Sequence, residues 1–256
     1  MIAYKEFLPV TALRDRIECY WKFTVGADMT APLQHVFPPE GCCNLLFVSS
    51  AERRFILFAG PSTIVREITI QPGTVFFGIR IKPGYAEWLH AADPFSCKDQ
   101  STLIPAMEMS DWQQTLLSQI GPAFEEVSVA DHALVLRKQQ VFFAPDEHVA
   151  KGIQLIIDHN GSITAKEVTS RVCISPRQLE RKFIKATGMT MKQFSQLRRL
   201  RKAIIDLCVA QRSKIEMITD RGYTDPAHFY KSFRNISGYP LSKFQQHLKL
   251  IENQLI

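Results

Sequence analysis

The feature that most constrains the fold of this 256-residue chain is a segment that occurs twice. The first copy runs over 163–194 and the second over 213–244, with a spacing of 49 residues that becomes 50 after a one-residue insertion. Four matched pairs fix the longer spacing: Leu179 with Phe229, Phe183 with Phe233, Gly188 with Gly238, and Phe194 with Phe244. Each copy has the pattern of a helix, a tight turn and a second helix that carries basic residues. Two linked helix-turn-helix units favour a protein that reads double-stranded DNA.

Helix-start signals recur at the same point of both copies. Thr164-x-x-Glu167 and Ser213-x-x-Glu216 are both capping boxes, in which each end residue bonds the other's backbone amide. A single capping box is a frequent coincidence, but a matched pair is much less so. The repeat therefore predicts equivalent first helices in the two units.

The charge of the chain is unevenly distributed. Residues 146–256 carry 19 Lys and Arg against 10 Asp and Glu, a net charge of +9, whereas residues 1–145 carry 12 against 15, or −3; these sum to the overall +6. A basic C-terminal half fits a partner with a phosphate backbone, although a solvated basic face would give the same count.

The composition is that of a globular protein without a membrane span or a metal site. No stretch approaches the roughly 20 apolar residues of a membrane helix, and the first residues lack a signal-peptide core, so we expect a cytoplasmic protein. The six cysteines form no C-x-x-C pair and have no histidine at zinc-ligand spacing. Adjacent Cys42 and Cys43 are either a redox pair or small buried strand residues, and we favour the second. We expect no metal and no cofactor.

The predicted fold class is α+β. Short β-branched and aromatic runs between Ile17 and Lys82 predict a cupin-like β-barrel or sandwich, followed by helices from Ser110 to Phe143. Ala144-Pro145-Asp146 marks the predicted boundary between a β-rich sensing or dimerisation domain, 1–144, and an all-α DNA-binding domain, 145–256. The helices after Ser110 either pair two chains or pack on their own barrel, and we slightly favour a homodimer.

The second helix of the first unit begins at Ser175-Pro176 and turns Leu179 and Phe183 inward. Its outer face carries candidates for base contacts, because Arg can bond guanine and Gln can bond adenine with two hydrogen bonds each. Its lysines are better placed for phosphates. The candidate DNA-binding residues of this unit are Ser175, Arg177, Gln178, Glu180, Arg181, Lys182 and Lys185.

The corresponding helix of the second unit begins at Thr224-Asp225-Pro226 and turns Phe229 and Phe233 inward. Its candidate DNA-binding residues are Thr224, Ala227, His228, Lys231 and Arg234. Between the units a helix from Met191 to Val209, with Phe194, Leu197, Ile204 and Cys208 buried, would act as a rigid spacer. We expect its basic residues Arg198, Arg199, Arg201 and Lys202 either to lie near phosphates or to pair with acids.

The C-terminal part of the sequence closely resembles the DNA-binding domain of the AraC/XylS family of bacterial transcription regulators. The resemblance covers about Glu147 to His247 and is most specific from Gly222 to Arg234, which follows the family pattern G-[FY]-x-[DS]-x-x-x-F-x-[RK]-x-F-[KR], and at Gly238-Tyr239-Pro240. It implies that both reading helices enter consecutive major grooves. By position, it implies base contacts from Arg177, Glu180, Arg181, Ala227, His228 and Lys231. Ile218 departs from the small residue that the family favours, which predicts a slightly different packing of the second unit.

The N-terminal part resembles a domain of unknown function that precedes AraC-type readers, at Pro39 to Phe47, Gly60-Pro61 and Phe77 to Gly84. The family resemblance implies ligand sensing or dimerisation there, so a small-molecule effector, a second copy and RNA polymerase are the partners considered besides DNA. The interior of a β-barrel is a natural site for a small molecule. The candidates to line it are Tyr20, Trp21, Phe47 and Arg80. The alternative is that these residues belong to an ordinary hydrophobic core or lie at a strand edge. We do not expect an enzyme, because no nucleophile elbow, phosphate loop or zinc cluster is present in the sequence. The alternatives left open are an architectural or ligand-independent DNA-binding protein and, with less support, a DNA alkylation repair protein.

Overall fold

The computed structural model describes residues 1–90, 93–121, 126–209, 226–248 and 251–254. The first part of the chain is rich in strands and the second part is helical. The strands are β1 (Ile2–Phe7), β2 (Ile17–Val25), β3 (Leu33–Phe37), β4 (Cys43–Ser49), β5 (Arg54–Ala59), β6 (Arg66–Ile70), β7 (Val75–Ile81), β8 (Ser101–Ile104) and β9 (Glu252–Gln254). The helices are α1 (Ala86–Leu89), α2 (Asp111–Gln119), α3 (Glu126–Gln140), α4 (Glu147–Asp158), α5 (Ala165–Val172), α6 (Pro176–Thr187), α7 (Met191–Val209), α8 (Pro226–Ser237) and α9 (Leu241–Leu248).

Seven strands form one sheet in the order β8-β5-β4-β7-β2-β1-β9, and β3 pairs with β6 in a separate two-stranded sheet. The central strand β7 pairs antiparallel with β2 on one side and with β4 on the other. Every residue of β7 is buried, which indicates that both faces of the large sheet are covered.

Alternation along β7 divides its side chains between two cores. Val75, Phe77, Ile79 and Ile81 pack with residues of α2 and α3, among them Leu116 and Leu134. Phe76 lies on the opposite face, in a core shared with Trp21 and Phe23 of β2 and with the two-stranded sheet. The N-terminal part is therefore a layered arrangement in which helices cover one face of the large sheet and β3 with β6 cover the other.

The helical part has its own core, built by α4 to α9. Its largest buried side chains are phenylalanines at 183, 194, 229, 233 and 244. Val36 of β3 is part of the same cluster, and Val65 packs against it, so the outer face of the two-stranded sheet contacts the helical domain. The two parts of the chain thus share a packed interface.

The last described segment returns to the first. β9 pairs in parallel with β1, with Ala3 opposite Glu252 and Lys5 opposite Gln254. The edge of the N-terminal sheet is therefore completed by residues that follow the helical domain.

The predicted fold class is confirmed: a β-rich N-terminal domain with helices precedes a helical domain of the helix-turn-helix type. The structure adds four strands that the sequence pattern did not reveal, namely β1, β3, β8 and β9. In the described parts of the chain, none of the helices combines the length and the apolar character needed to span a bilayer.

Candidate nucleic-acid interface

The helix α6 is defined at both ends by local chemistry. Ser175 is its N-cap and accepts a hydrogen bond from the amide of Gln178, and Pro176 occupies the first turn. At the other end Gly188 adopts a left-handed conformation, φ 73°, that stops the helix. The preceding helix α5 begins with the predicted capping box of Thr164 and Glu167.

The two faces of α6 differ sharply. Leu179 and Phe183 are fully buried, as the sequence pattern predicts, while Arg177, Gln178 and Arg181 are exposed. An exposed face with two arginines and an amide offers donors and acceptors that suit base edges and phosphates.

The remaining candidates on α6 have different surroundings. Lys182 is half-buried and donates to Oδ2 of Asp146 at 2.6 Å, and this hydrogen bond is the main reason why the pKa of Asp146 is lowered. Asp146 also caps α4, so Lys182 is held toward that helix. Glu180 is half-buried and Lys185 is exposed.

The helix α8 presents the second set of candidates. Phe229 and Phe233 are buried, and Ala227, Lys231 and Arg234 are exposed. His228 lies in α8, but its side chain is outside the described part of the structure, and Thr224 lies outside the described residues altogether. The predicted capping box at Ser213 and Glu216 and the residue Ile218 also lie outside the described residues, and so does the side chain of Cys208.

The two units repeat in three dimensions as well as in sequence. The rings of Phe183 and Phe194 in the first unit have centroids 5.6 Å apart, and those of Phe233 and Phe244 in the second are also 5.6 Å apart. Gly188 and Gly238 both have positive φ, at 73° and 70°. The exposed faces of α6 and α8 therefore occupy equivalent positions in two copies of one structural unit.

A further pair of repeated residues was missed from the sequence. Thr187 donates to the carbonyl of Phe183 at 2.8 Å, and Ser237 donates to the carbonyl of Phe233 at 2.7 Å. Each hydroxyl also accepts an amide hydrogen bond from the residue two positions on. These hydroxyls close the C-terminal turns of α6 and α8, and their matched spacing in the sequence was the available signal.

The spacer helix α7 runs from Met191 to Val209, as predicted, and Phe194, Leu197 and Ile204 are buried. Two of its arginines face the N-terminal domain. Arg198 binds Glu18 at 2.9 Å, and Arg201 binds Glu6 at 3.1 Å. Of the two alternatives for these arginines, pairing with acids is the one that the structure adopts.

These ion pairs belong to a buried cluster between the two parts of the chain. Arg80 of β7 binds Glu6 at 2.7 Å and also binds Glu40. Burial alone would raise the pKa of Glu6, but the positive charges of Arg80 and Arg201 outweigh it and lower that pKa to about 2. Glu18 behaves in the same way: burial opposes ionisation, and Arg198 and Arg201 lower its pKa to about 2. The carboxylates stay ionised and hold α7 against the sheet.

A second buried contact joins β3 to α9. Nε2 of His247 lies 2.7 Å from Nδ1 of His35 and 3.2 Å from the amide nitrogen of Val36. Since the amide must donate, Nε2 of His247 is an acceptor, and His35 is the donor in the pair. Burial, with the neighbouring His247 second, lowers the pKa of His35 to about 3, and burial also lowers the pKa of His247. Both rings are therefore neutral near pH 7.

A cavity of about 240 Å³ lies in the same interface. Its walls come from β1 to β7, from α7 at Ile204 and Ile205, and from α9 at Phe244. Trp21 and Arg80, two of the four candidate ligand residues, line this cavity. Tyr20 and Phe47 do not; they lie in the core on the opposite face of the sheet, where Tyr20 stacks on Phe77 and donates to Asp131. Tyr20 and Trp21 are adjacent in an extended strand, so their side chains necessarily take opposite faces.

Five cysteines have described side chains, and all five are free thiols. Within the described residues no group of three or more His, Cys, Asp or Glu side chains has a metal-binding arrangement. Cys42 donates to Glu18 at 3.2 Å and is buried, as is Cys43.

Two family models match the chain. Residues 168–247 match a helix-turn-helix domain, and residues 5–102 match a domain of unknown function, DUF6597. No curated protein matches the chain.

Among solved structures, ToxT from Vibrio cholerae is 9% identical with a TM-score of 0.51, over 86% of this chain and 96% of ToxT. ToxT bound to (E)-4-(8-methylnaphthalen-1-yl)but-3-enoic acid is 10% identical with a TM-score of 0.51, over 96% and 99% of the two chains. The C-terminal domain of AraT, a response regulator from Geobacillus stearothermophilus, is 20% identical with a TM-score of 0.36, over 40% of this chain and 85% of that domain. At such identities the likeness to ToxT is one of fold.

The repeated helix-turn-helix geometry and the matching family model support a DNA-binding transcription regulator. More particularly, the C-terminal part of the chain is an AraC-type helix-turn-helix domain, and it follows a DUF6597 domain, as in AraC-type regulators.

Proposed function

We propose that this protein is a sequence-specific regulator that inserts α6 and α8 into consecutive major grooves of one DNA segment. The observation that carries the proposal is the pair of equivalent helices with exposed basic faces, Arg177 with Arg181 on α6 and Lys231 with Arg234 on α8. They are joined by the 19-residue helix α7, which spans roughly 28 Å at about 1.5 Å per residue. With the turns added, this approaches the roughly 34 Å between successive major grooves on one face of B-DNA.

Within this proposal the residues on the two helices divide their roles by exposure and chemistry. Arg177, Gln178 and Arg181 read bases from α6. Ala227, which can contact a thymine methyl, and Lys231 do so from α8. Lys185 and Arg234 contribute phosphate contacts. Ser175, Glu180, Lys182, Thr224 and His228 complete the proposed DNA-binding set, with Lys182 exchanging Asp146 for a phosphate when DNA binds.

We further propose that residues 1–144 control the DNA-binding region, 145–256, through a small-molecule effector or by pairing two copies of the chain. Support comes from the interdomain cavity, whose walls include residues of α7 and α9, and from the ion pairs that fix α7 to the sheet. The ToxT structure with a bound carboxylic acid is a further reason to test effectors. RNA polymerase is the remaining proposed partner, and the protein would act in the cytoplasm without enzymatic activity.

The test is selection of genomic DNA fragments by the purified protein at near-physiological salt, followed by affinity measurements on the best site and on a scrambled one. We expect a site with two short elements about one helical turn apart, bound about 1000-fold more tightly than scrambled DNA. Uniform affinity for all sequences would instead indicate an architectural protein.

Variants then test the two helix faces. Arg181→Ala and Lys231→Ala should each weaken binding of the selected site by about 1 to 3 kcal/mol while leaving thermal unfolding unchanged. Arg53→Ala, which removes an exposed charge from the turn between β4 and β5, is the matched control and should bind like the wild type. Wild-type affinity in both helix variants would rule out these faces as the reading surfaces.

A further inference from the structure

A short segment of the N-terminal domain, residues 61–65 between β5 and β6, contacts the C-terminal ends of both α6 and α8. Pro61 lies against Gly188, the residue that ends α6: a Cβ on this glycine would be 3.1 Å from Cγ of the proline. Four residues further on, the amide of Val65 donates a hydrogen bond to the carbonyl of Ser237, the last residue of α8, at 3.2 Å. The valine side chain also packs against the helical core. We call residues 61–65 the bridging segment.

The bridging segment joins the two helix ends over a short distance. Four residue steps of extended chain span at most about 14 Å, so the two ends are held close to each other. The outer faces of the helices are left uncovered, because Arg177 and Arg181 on α6 are exposed, and so is Lys231 on α8. The N-terminal domain therefore holds both helices without occupying the proposed DNA-binding faces.

Asp99 fixes the conformation of the bridging segment. Its carboxylate accepts hydrogen bonds from the amide of Thr63 and, at 2.9 Å, from the hydroxyl of the same residue, and its own amide donates to the carbonyl of Pro61 at 2.9 Å. Ser62 exchanges two backbone hydrogen bonds with Glu40, at 2.7 and 2.9 Å. Asp99 itself has φ 58°, a left-handed conformation that is uncommon outside glycine. Such a conformation persists where the surrounding contacts hold it, as these hydrogen bonds do.

The end of α6 is enclosed more tightly than the end of α8. A Cβ on Gly188 would lie only 2.6 Å from the carbonyl oxygen of Pro94, in the loop that carries Asp99. At Gly238, the equivalent glycine of the second unit, such a Cβ has no atom of the described residues within 4 Å. Both glycines have positive φ, at 73° and 70°. The same substitution therefore strains both backbones similarly, but it displaces the N-terminal domain at Gly188 alone.

We propose that the bridging segment positions α6 and α8 relative to each other, and so determines which spacing between two DNA elements the protein accepts. The proposal rests on the proposed function, since it names what sets the spacing specificity of the same DNA-binding faces. Each of the two helices packs on α7, and the bridging segment is a second connection between them. Two connections restrict the relative movement of the helices more than one. Asp99 is a positioning residue here, because it acts through the segment and not on DNA.

The experiment measures the affinity of the full chain for its selected DNA site and for two altered sites, with one base pair added or removed between the two elements. One base pair moves the second element by about 3.4 Å and turns it by about 34° around the DNA axis. For the wild type, each alteration should weaken binding by at least about tenfold, because α6 and α8 then fail to reach both elements together. We call this ratio the spacing penalty.

Two variants loosen the bridging segment, and each has a matched control. Asp99→Gly removes the carboxylate, and glycine suits the left-handed backbone, so the variant adds no strain. Gly188→Ala pushes Pro94 away from the end of α6. In both variants the spacing penalty should fall to about threefold or less. Asp99→Asn keeps an oxygen that accepts from the amide of Thr63, and Gly238→Ala enters open space, so both controls should keep the penalty within about twofold of the wild type.

The spacing penalty separates positioning from stability. A loss of folded protein would lower the affinity for all three sites by the same factor and leave the penalty unchanged. The inference is overturned if Asp99→Gly or Gly188→Ala keeps the wild-type penalty, or if either control loses it as well. In these cases a specific site is still selected, so the DNA-reading function stands. A protein that selects no DNA sequence would instead refute the DNA-reading function, and this inference with it.

Discussion

Acid should release the contact between β3 and α9, because the buried pair of His35 and His247 holds only while both rings are neutral. In the folded protein the pKa of His35 is about 3, against about 6.5 for an unfolded chain. A histidine whose folded pKa is depressed contributes stability that is complete above pH 6.5 and is lost as the pH falls toward 3. At pH 5 the loss from His35 is about 1.36 kcal/mol for each of 1.5 pH units, or roughly 2 kcal/mol.

Urea unfolding of the wild type and of His35→Phe at pH 7 and pH 5 measures this loss. Phenylalanine fits the apolar surroundings, since the His35 ring packs 4.2 Å from Phe23 and 4.3 Å from Phe37 by centroids. Between the two pH values the wild type should lose roughly 2 kcal/mol more than the variant. The buried glutamates contribute little to the change in unfolding free energy between pH 7 and pH 5. In the unfolded chain a glutamate has a pKa near 4.3 and is still mostly ionised at pH 5.

His132→Gln is the matched control. His132 is exposed on α3, far in sequence from both histidines, and this variant should follow the wild type at both pH values. If the wild type and His35→Phe lose the same free energy of unfolding between pH 7 and pH 5, the reasoning about the neutral pair is wrong.

Three further changes test the packing, each by urea unfolding. Gly78→Ala would drive a Cβ into the Trp21 indole, so we expect a loss of about 1 to 3 kcal/mol, and an unchanged midpoint would contradict the close approach of β2 and β7. Glu6→Gln removes one of the two carboxylates that Arg80 and Arg201 share, the other being Glu40, and should cost about 1.5 to 3 kcal/mol; a loss below about 1 kcal/mol would mean that the cluster is solvated. Cys173→Gly should stabilise by about 0.5 to 1 kcal/mol, because Cys173 ends α5 at φ 62°, and destabilisation would argue against this left-handed conformation.

Local chemistry made much of the helical domain predictable from the sequence. The capping box of Thr164 and Glu167, the Ser175-Pro176 helix start and the inward faces of Leu179 and Phe183 all depend on residues a few positions apart. Such signals act between residues a few positions apart, so they can be recognised without knowing how the helices pack. They were therefore sufficient to predict where α5 and α6 begin and which face of α6 is buried.

The interdomain cavity was less predictable, because both faces of its sheet are buried. The sequence of β7 shows no alternation of apolar and polar residues, because both of its faces are buried. The sequence pattern therefore does not show which side chains face the cavity and which face α2 and α3. Of the adjacent candidates Tyr20 and Trp21, only Trp21 lines the cavity. The partners of Arg198 and Arg201 lie about 180 residues or more away in sequence, at Glu18 and Glu6, and no local pattern connects them.

The parallel pairing of β9 with β1 limits how the DNA-binding domain can turn. Besides the side-chain contacts of α7 and α9, the domain is joined to the N-terminal sheet by the connection before α4 and by the β9 edge pairing. A reorientation of α6 and α8 that leaves β9 paired with β1 is therefore confined to movements that keep both of these connections. A larger reorientation must first detach β9.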